Sequence, residues 1–290
     1  MPELPEVETV RRGLEQLIIG RKIKKVVHDT PKSFPNAVAD VEQFLIGTQI
    51  TAIRRRAKVL LIDLSSDYTL VIHLKMTGQL VFRASDVAFG AGHPNDSLIG
   101  ELPDRSTRVT IAFADGSHLY FNDQRKFGWV KLMPTIEVPN IDFMKKVGPE
   151  PLEHDFTVEQ FRERFTRRAK SPIKAALLDQ TVVAGVGNIY ADESLWAAKI
   201  HPLTKVFQLS SSHYHLLYTE LRSVMNLAIE KGGSTDKNYV NAEGKRGSYM
   251  DFARVFRREG KSCLRCGATI IKFKAAGRGT HICPVCQVLE

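Results

Sequence analysis

A chain of 290 residues, 43% hydrophobic and 25% charged, has enough apolar surface for two or three folded domains, which excludes a disordered or low-complexity scaffold. Its 41 lysines and arginines outweigh 32 acids for a net charge of +9 and a pI near 9.4, so a polyanion, nucleic acid first, is the expected partner. The start is acidic and no apolar run approaches the roughly 18 residues of a membrane span, so neither a span nor a signal peptide is expected and the protein is placed in the cytoplasm.

The chain opens Met1-Pro2-Glu3-Leu4-Pro5-Glu6-Val7-Glu8-Thr9. Removal of methionine before a small proline leaves Pro2 with a free secondary amine. An α-amino group titrates at about 7.7–8.0, so part of it is unprotonated at neutral pH, whereas a lysine first needs burial or a nearby cation. A secondary amine that attacks carbon gives a charged iminium, a strong electron sink. Glu3 and Glu6 stand beside it as carboxyls for proton traffic. The same stretch also reads as a helix start: Pro5 suits the first turn, and Leu4, Val7, Val10, Leu14, Leu17 and Ile18 recur at helical spacing until Gly20. The helix accounts for Pro5 and the apolar stripe, but not for Pro2 and Glu3 ahead of it.

Short strands are predicted next, over Ile23–His28, Gln49–Arg56, Val59–Leu64, Leu70–Leu74, Gln79–Phe82, Arg108–Phe113, His118–Phe121 and Trp129–Leu132, with a short helix over Asp40–Leu45. Such spacing predicts a β-sandwich or barrel. Ser85–Asp104 reads as a long loop and Met133–Pro151, with its prolines, as a linker. The period then changes from two to 3.6, and helices are expected over Thr157–Arg168, Pro172–Gln180, Asn188–Ala198 and Ser211–Lys231. Ser234–Tyr249 is polar and glycine-containing, a flexible loop, and short strands surround the terminal cysteines. The fold class is thus multidomain α+β: an N-terminal β-sandwich with flanking helices (1–135), a linker (136–150), a helical domain (151–235), a loop and connection (236–260) and a cysteine-bearing ribbon (261–290), of which the family resemblance given below makes the sandwich catalytic, the helical domain DNA-binding and the ribbon a zinc finger.

The cysteines stand as Cys263-x2-Cys266-x16-Cys283-x2-Cys286, the spacing of a tetrahedral Zn²⁺ site in a β-ribbon, with a redox dithiol as the alternative. Four protein ligands leave no position for water, so one structural zinc per chain is expected and no catalytic metal. Around it lie Lys272, Lys274 and Arg278, the last between glycines that admit a close partner, although a solvated basic face would look the same. Gly185-Val186-Gly187-Asn188 places a glycine-rich turn ahead of a helix, either an anion site or a tight interhelical turn. Arg54-Arg55-Arg56 reads as a solvated edge before Lys58. On the residues alone, Met76 and Phe127 read as core.

Taken together, MPELPEVETVRRGL, Arg56-Ala57-Lys58-Val59-Leu60-Leu61, His73-Leu74-Lys75-Met76-Thr77-Gly78, Asp123-Gln124-Arg125-Lys126-Phe127-Gly128, Gly185-Val186-Gly187-Asn188 and Ala276-Gly277-Arg278-Gly279-Thr280-His281 resemble the bacterial formamidopyrimidine-DNA glycosylases, in that family's order and from Met1 to the last cysteine pair. The resemblance implies a helix-two-turn-helix domain and a bifunctional enzyme that excises oxidised purines from double-stranded DNA and nicks the resulting abasic site. It implies Pro2 as nucleophile, Glu3 and Glu6 as acid groups, and Lys58, Asn188 and Arg278 on phosphates around the damaged nucleotide. Met76, Arg125 and Phe127 would fill the void left by the flipped base, with Arg125 on the orphaned cytosine and His73 also at the DNA. Where family members carry His-Asp-His, this chain has Arg105-Ser106-Thr107-Arg108, and Arg108 is expected to supply the phosphate contact instead. The 234–249 loop would cap the base, its preference left open by Asp236, Lys237, Lys245 and Arg246. The enzyme would act as a monomer, in the cytoplasm at the bacterial nucleoid.

Two other readings stand beside this one. The endonuclease VIII branch, acting on oxidised pyrimidines, normally opens Pro-Glu-Gly-Pro where this chain has Pro2-Glu3-Leu4-Pro5. A non-enzymatic zinc-ribbon DNA-binding protein would explain the charge, cysteines and basic loops, but not Pro2-Glu3.

Overall fold

The computed structural model describes residues 2–93, 96–234 and 249–289. The chain falls into two compact units, Met1–Lys145 with Lys231–Ser248, and Lys146–Glu230 with Tyr249–Glu290. The expected capping loop and its charged residues Asp236, Lys237, Lys245 and Arg246 lie outside the described residues.

The first unit begins with the predicted helix, α1 (Leu4–Ile18), whose Leu4, Val7, Val10, Leu14 and Ile18 are buried along one face. Gly20, at φ +79°, takes the chain out of it in a left-handed turn that disfavours other residues. Then follow β1 (Ile23–His28), α2 (Val38–Phe44), β2 (Ile50–Arg56), β3 (Val59–Leu64), β4 (Tyr68–His73), β5 (Gly78–Arg83), β6 (Ala88–Gly92), β7 (Thr107–Phe113), β8 (His118–Asp123) and β9 (Trp129–Pro134). Two antiparallel sheets form, ordered β1-β7-β8-β5-β6 and β2-β3-β4-β9. Ile53, Leu60, Ile62, Ile72 and Leu132 of one sheet share a core with Phe82, Val109, Ile111, Leu119 and Phe121 of the other, and α1 adds Val7, Val10 and Leu14.

Two expectations are corrected here. Ser85–Asp104 is not all loop, since Ala88–Gly92 pairs with β5 in register Phe82↔Phe89. Its glycines hide the alternation, but Phe89 packs so tightly under α1 that a Cβ on Gly13 would lie 2.2 Å from its ring. The expected linker is also structured: a 3-10 turn (Thr135–Asn140) and α3 (Asp142–Lys146) lay Val138, Phe143 and Met144 against Val59, Leu61 and Val71. Strands β3 and β4 are therefore covered on both faces, which is why they read as continuous apolar runs.

The second unit holds α4 (Val158–Thr166), α5 (Ile173–Leu178), α6 (Asn188–Ala197), α7 (Ser211–Glu230), β10 (Ile271–Ala275) and β11 (Arg278–Ile282). Thr157 caps α4 through a reciprocal box with Gln160, at 3.0 and 3.3 Å. Helix α7 buries Tyr214, Leu217, Leu221, Met225 and Ala228 at intervals of three and four, the stripe of a one-sided helix. Every residue of α6 from Tyr190 to Trp196 is buried, so α6 is central. The ribbon packs on the helices, since Cys263, Ile270 and Cys283 share a cluster with Trp196 of α6. Among the described residues no helix is long and apolar enough to cross a membrane.

Candidate active site and nucleic-acid interface

Pro2 and Glu3 are both buried, Glu3 at 3% exposure. The backbone N–H of Glu3 donates to Glu6 Oε2 at 2.7 Å, and the N–H of Ser234 donates to Glu6 Oε1 at 2.8 Å. A Cβ on Gly233 would sit 3.2 Å from that same carboxylate. The carboxyl expected to take part in proton traffic is thus also a joint between the start of α1 and residues 233–234. One turn on, burial opposes ionisation of Glu8, but hydrogen bonds from Arg11 and Arg12 and the charges of Arg11 and Arg55 outweigh it and hold its carboxyl below the usual range. Arg55 is committed to this cluster at 3.0 Å and is only 9% exposed, so it is no solvated edge; Arg54 pairs with Asp63.

Lys58 lies in the two-residue turn between Arg56 and Val59, after Ala57 at φ +52°. It is 7% exposed. His73 ends β4, where the N–H of Lys75 donates to its Nδ1 at 3.0 Å, fixing the tautomer that carries hydrogen on Nε2. Burial, then the charges of Lys75 and Lys58, push its pKa down to about 3, so the ring is neutral.

Met76, Arg125 and Phe127 are brought together. The Arg125 guanidinium lies 3.1 Å from Met76 Sδ and 4.9 Å over the Phe127 ring, while Met76 and Phe127 stay 38% and 47% exposed. Neither side chain belongs to the core, contrary to the reading from the residues alone; both stand at the surface beside Arg125. What builds the loop is Asp123, fully buried, whose role sequence reasoning missed although the residue heads the quoted motif. Its Oδ2 accepts the N–H groups of Phe127 (2.8 Å) and Gly128 (2.7 Å), and its Oδ1 accepts the Thr77 hydroxyl and the Arg125 N–H (3.2 Å). No other residue fits at Gly128, where a Cβ would lie 2.7 Å from the Phe121 ring and 2.9 Å from the His73 carbonyl oxygen.

Arg108 departs from expectation. It is 5% exposed, with its guanidinium on Asp29, the carbonyl of Asp123 (2.8 Å) and the carbonyl of Arg105. In the folded chain its guanidinium is thus occupied by groups of the first unit.

In the second unit Gln180 shapes the glycine-rich turn, accepting from Gly185 N at 3.0 Å and donating to the Val186 carbonyl at 2.8 Å. Asn188 then opens α6, and its Nδ2 donates to the Gly279 carbonyl at 3.0 Å. Strands β10 and β11 pair Ala275 with Arg278 around Ala276 (φ +50°) and Gly277 (φ +71°), the left-handed pair of a tight hairpin turn, leaving Arg278 exposed. Among described non-glycine residues with positive φ are Ala57, Lys75, Lys126 and Ala276, each within two positions of a predicted DNA-facing side chain. Asp67, Lys199 and Arg257 share the conformation away from any such side chain, so positive φ marks tight turns and does not by itself mark the site.

The Sγ atoms of Cys263, Cys266, Cys283 and Cys286 all lie within 4.8 Å of one another. A tetrahedron with Zn–S of about 2.3 Å has edges of about 3.8 Å; three of the pairs here measure 3.4, 3.5 and 3.9 Å. Burial, then the neighbouring Cys266 and Cys283 thiols, push the Cys286 thiol up to about 12, whereas N–H groups of Arg265 and Cys266 overcome burial to hold Cys263 down to about 6. Four crowded sulfurs resist joint ionisation unless a cation sits among them, so the donor set fits a structural zinc.

A two-sheet unit headed by Pro2-Glu3, a helix opened by Gly-Asn, and a four-cysteine hairpin are the parts of a DNA-repair protein of the helix-two-turn-helix class, and the comparisons agree. Three family models match in sequence order: the formamidopyrimidine-DNA glycosylase N-terminal domain over residues 1–130, the H2TH domain of the same enzymes over 147–239, and the zinc finger found in FPG and IleRS over 260–288. The chain belongs to the formamidopyrimidine-DNA glycosylase family. It is 42% identical to the formamidopyrimidine-DNA glycosylase of Herpetosiphon aurantiacus, covering 99% of this chain and 100% of that protein, and 42% identical to that of Streptococcus mutans, covering 99% of each. Among solved structures it resembles Lactococcus lactis Fpg with abasic-site DNA (TM-score 0.87, 39% identity, 99% of this chain and 100% of that one). It also resembles the same protein with N7-benzyl-Fapy-dG DNA (TM-score 0.86, 40% identity, with the same coverage).

Proposed function

We propose that this chain is a base-excision-repair glycosylase that removes oxidised purines from duplex DNA and cleaves the abasic site through its N-terminal proline. The observation that carries the reading is the buried Pro2-Glu3 pair at the head of α1, held by Glu6. Glu3 is also the N-cap of α1, in a capping box with Glu6, so the helix start accounts for the acid, and Pro2 ahead of it is what a binding protein leaves unexplained.

With Met1 removed, the Pro2 nitrogen attacks the sugar C1′ of the flipped nucleotide. The bond from C1′ to the base breaks and its electrons leave with the base, while Glu3 carries protons between base, sugar and solvent. The Pro2 nitrogen gives up its proton and drives open the C1′–O4′ bond, O4′ taking a proton through Glu3, which leaves the iminium; this draws electrons from C2′ as a proton is lost there, breaking C3′–O3′ to expel the 3′ phosphate, and a second elimination expels the 5′ phosphate. Lys58, Asn188 and Arg278 hold the phosphate backbone, Met76 and Phe127 fill the vacated stack, Arg125 pairs with the widowed base, and His73, neutral, offers its Nε2 hydrogen. The amine supplies the attacking electrons, so the chemistry calls for no metal, and one zinc per chain holds the hairpin. Action as a monomer in the bacterial cytoplasm completes the reading. An 8-oxoguanine duplex nicked by the processed chain, but not by a form that retains Met1, tests it; equal nicking by both forms sinks it.

A further inference from the structure

Helix α6 carries an aspartate that the chemistry above does not use. Asp192 is fully buried, and so is Lys174 of α5, whose Nζ donates to Asp192 Oδ1 at 2.6 Å. The other oxygen, Oδ2, accepts the backbone N–H of His281 at 2.9 Å and lies 3.1 Å from that residue's Nδ1. Lys174 reaches the same strand, donating to Thr280 Oγ1 at 2.7 Å and lying 3.4 Å from the Gly279 carbonyl oxygen. That carbonyl also accepts Asn188 Nδ2 at 3.0 Å. Gly279, Thr280 and His281, the three residues directly after Arg278, are therefore each held by a group on α5 or α6.

An ion pair stripped of water is poor value as a source of stability, since well-packed apolar residues of the same volume serve as well or better. What a buried charge pair does provide is direction. Apolar contacts fix how deep a strand sits, whereas a carboxylate bonded to one backbone N–H and an ammonium bonded to one hydroxyl also fix its register along the helix.

We propose that Asp192 and Lys174 are positioning residues that lock the Arg278 hairpin to the start of α6, so that Arg278 and Asn188 grip the DNA backbone as one clamp. This rests on the reading of those two side chains as phosphate contacts. Neither Asp192 nor Lys174 is exposed, so both act through their neighbours.

The test compares Arg278→Ala in the parent chain and in the Lys174→Met/Asp192→Leu chain, using a duplex that contains a stable abasic-site analogue. In the parent, Arg278→Ala should weaken binding about tenfold and lower the log–log salt slope by about one. The double variant should keep its zinc and a cooperative thermal transition, lowered somewhat by the His281 N–H it strands, show the same weakening and lowered slope by itself, and lose little more when Arg278→Ala is added. The proposal is overturned if Arg278→Ala costs the same factor in both backgrounds, because the hairpin would then not depend on the pair. If Arg278→Ala has no effect in the parent, the phosphate reading falls and takes the clamp with it, a result read from a different arm. Should the double variant fail to fold, Thr280→Val removes the hydroxyl that takes Lys174 Nζ at 2.7 Å and itself donates to the Arg278 carbonyl at 3.2 Å: weaker binding with zinc retained and a smaller Arg278→Ala effect supports the clamp, and unchanged binding contradicts it.

Discussion

The carboxylate of Glu6 accepts the backbone N–H of Ser234 at 2.8 Å, tying the first turn of the chain to a segment 228 residues later. Its other oxygen takes the Glu3 N–H, so the acid that precedes α1 is placed by one that lies within it. Glu6→Ala would leave two N–H groups unpaired, at about 1–3 kcal/mol each. The first unit should melt several degrees lower, and excision should fall while binding of undamaged duplex holds. Glu6→Gln, with one acceptor oxygen, should lie between. A Glu6→Ala chain that melts and cuts like the parent would remove the joint from the account.

Asp123 supports a second prediction, because it is fully buried and so acts on DNA only through the loop it holds. Asp123→Ala should impair excision as severely as Arg125→Ala, since both remove Arg125 from its place over Phe127. The two differ in stability: Asp123→Ala strands the Phe127 and Gly128 N–H groups and should lower the melting temperature, whereas the exposed Arg125 should not. Excision opposite cytosine should suffer most in Arg125→Ala, because directed hydrogen bonds to one base discriminate best. Equal losses opposite every base would reduce Arg125 to a support.

Much of this was legible in the sequence, for physical reasons that vary by element. Helix α1 shows itself because a half-buried helix must repeat its apolar residues, and the zinc site because four thiols at fixed spacing have few other uses. Strand β6 was hidden by its glycines, which carry no side chain to mark a face. Val138 and Phe143 looked like linker because only the folded chain reveals the outer face of the four-stranded sheet that they cover. Arg108, Glu6, Asp123 and Asp192 share one difficulty: a charged residue has the same letter whether it faces solvent, a phosphate or three backbone N–H groups. The exposure of Met76 and Phe127 was likewise read from the family resemblance, and not from periodicity.

His73 gives a pH prediction. Its pKa is about 3 in the folded chain, against an ordinary value of 6.5. Between these values the unfolded chain binds the extra proton, so stability rises with pH through this window. The contribution is fully present above about 6.5 and is lost as pH falls toward 3, by at most about 1.4 kcal/mol per unit. The stability difference between the parent and His73→Asn should therefore shrink steadily from pH 7 to pH 4. A difference that stays constant over that range contradicts a buried, neutral ring.

Zinc removal should act locally. Structural zinc contributes on the order of 10–16 kcal/mol in small peptides, so losing a ligand should melt the β10–β11 hairpin. Cys283→Ser should release the metal and abolish duplex binding while the first unit, whose core contains no finger residue, still unfolds cooperatively. Normal DNA affinity without zinc would separate the finger from binding.

The central claim is that the first nitrogen of the processed chain forms a covalent bond to sugar. Borohydride added during turnover on an 8-oxoguanine duplex should reduce the iminium and freeze a protein–DNA adduct, and peptide mapping should place that adduct on Pro2. Chains with Met1 retained or the terminus acetylated should bind the duplex yet neither trap nor cut it. An adduct mapped to a lysine in a chain whose Pro2 is blocked, or strand cleavage with no trappable adduct, would contradict the account.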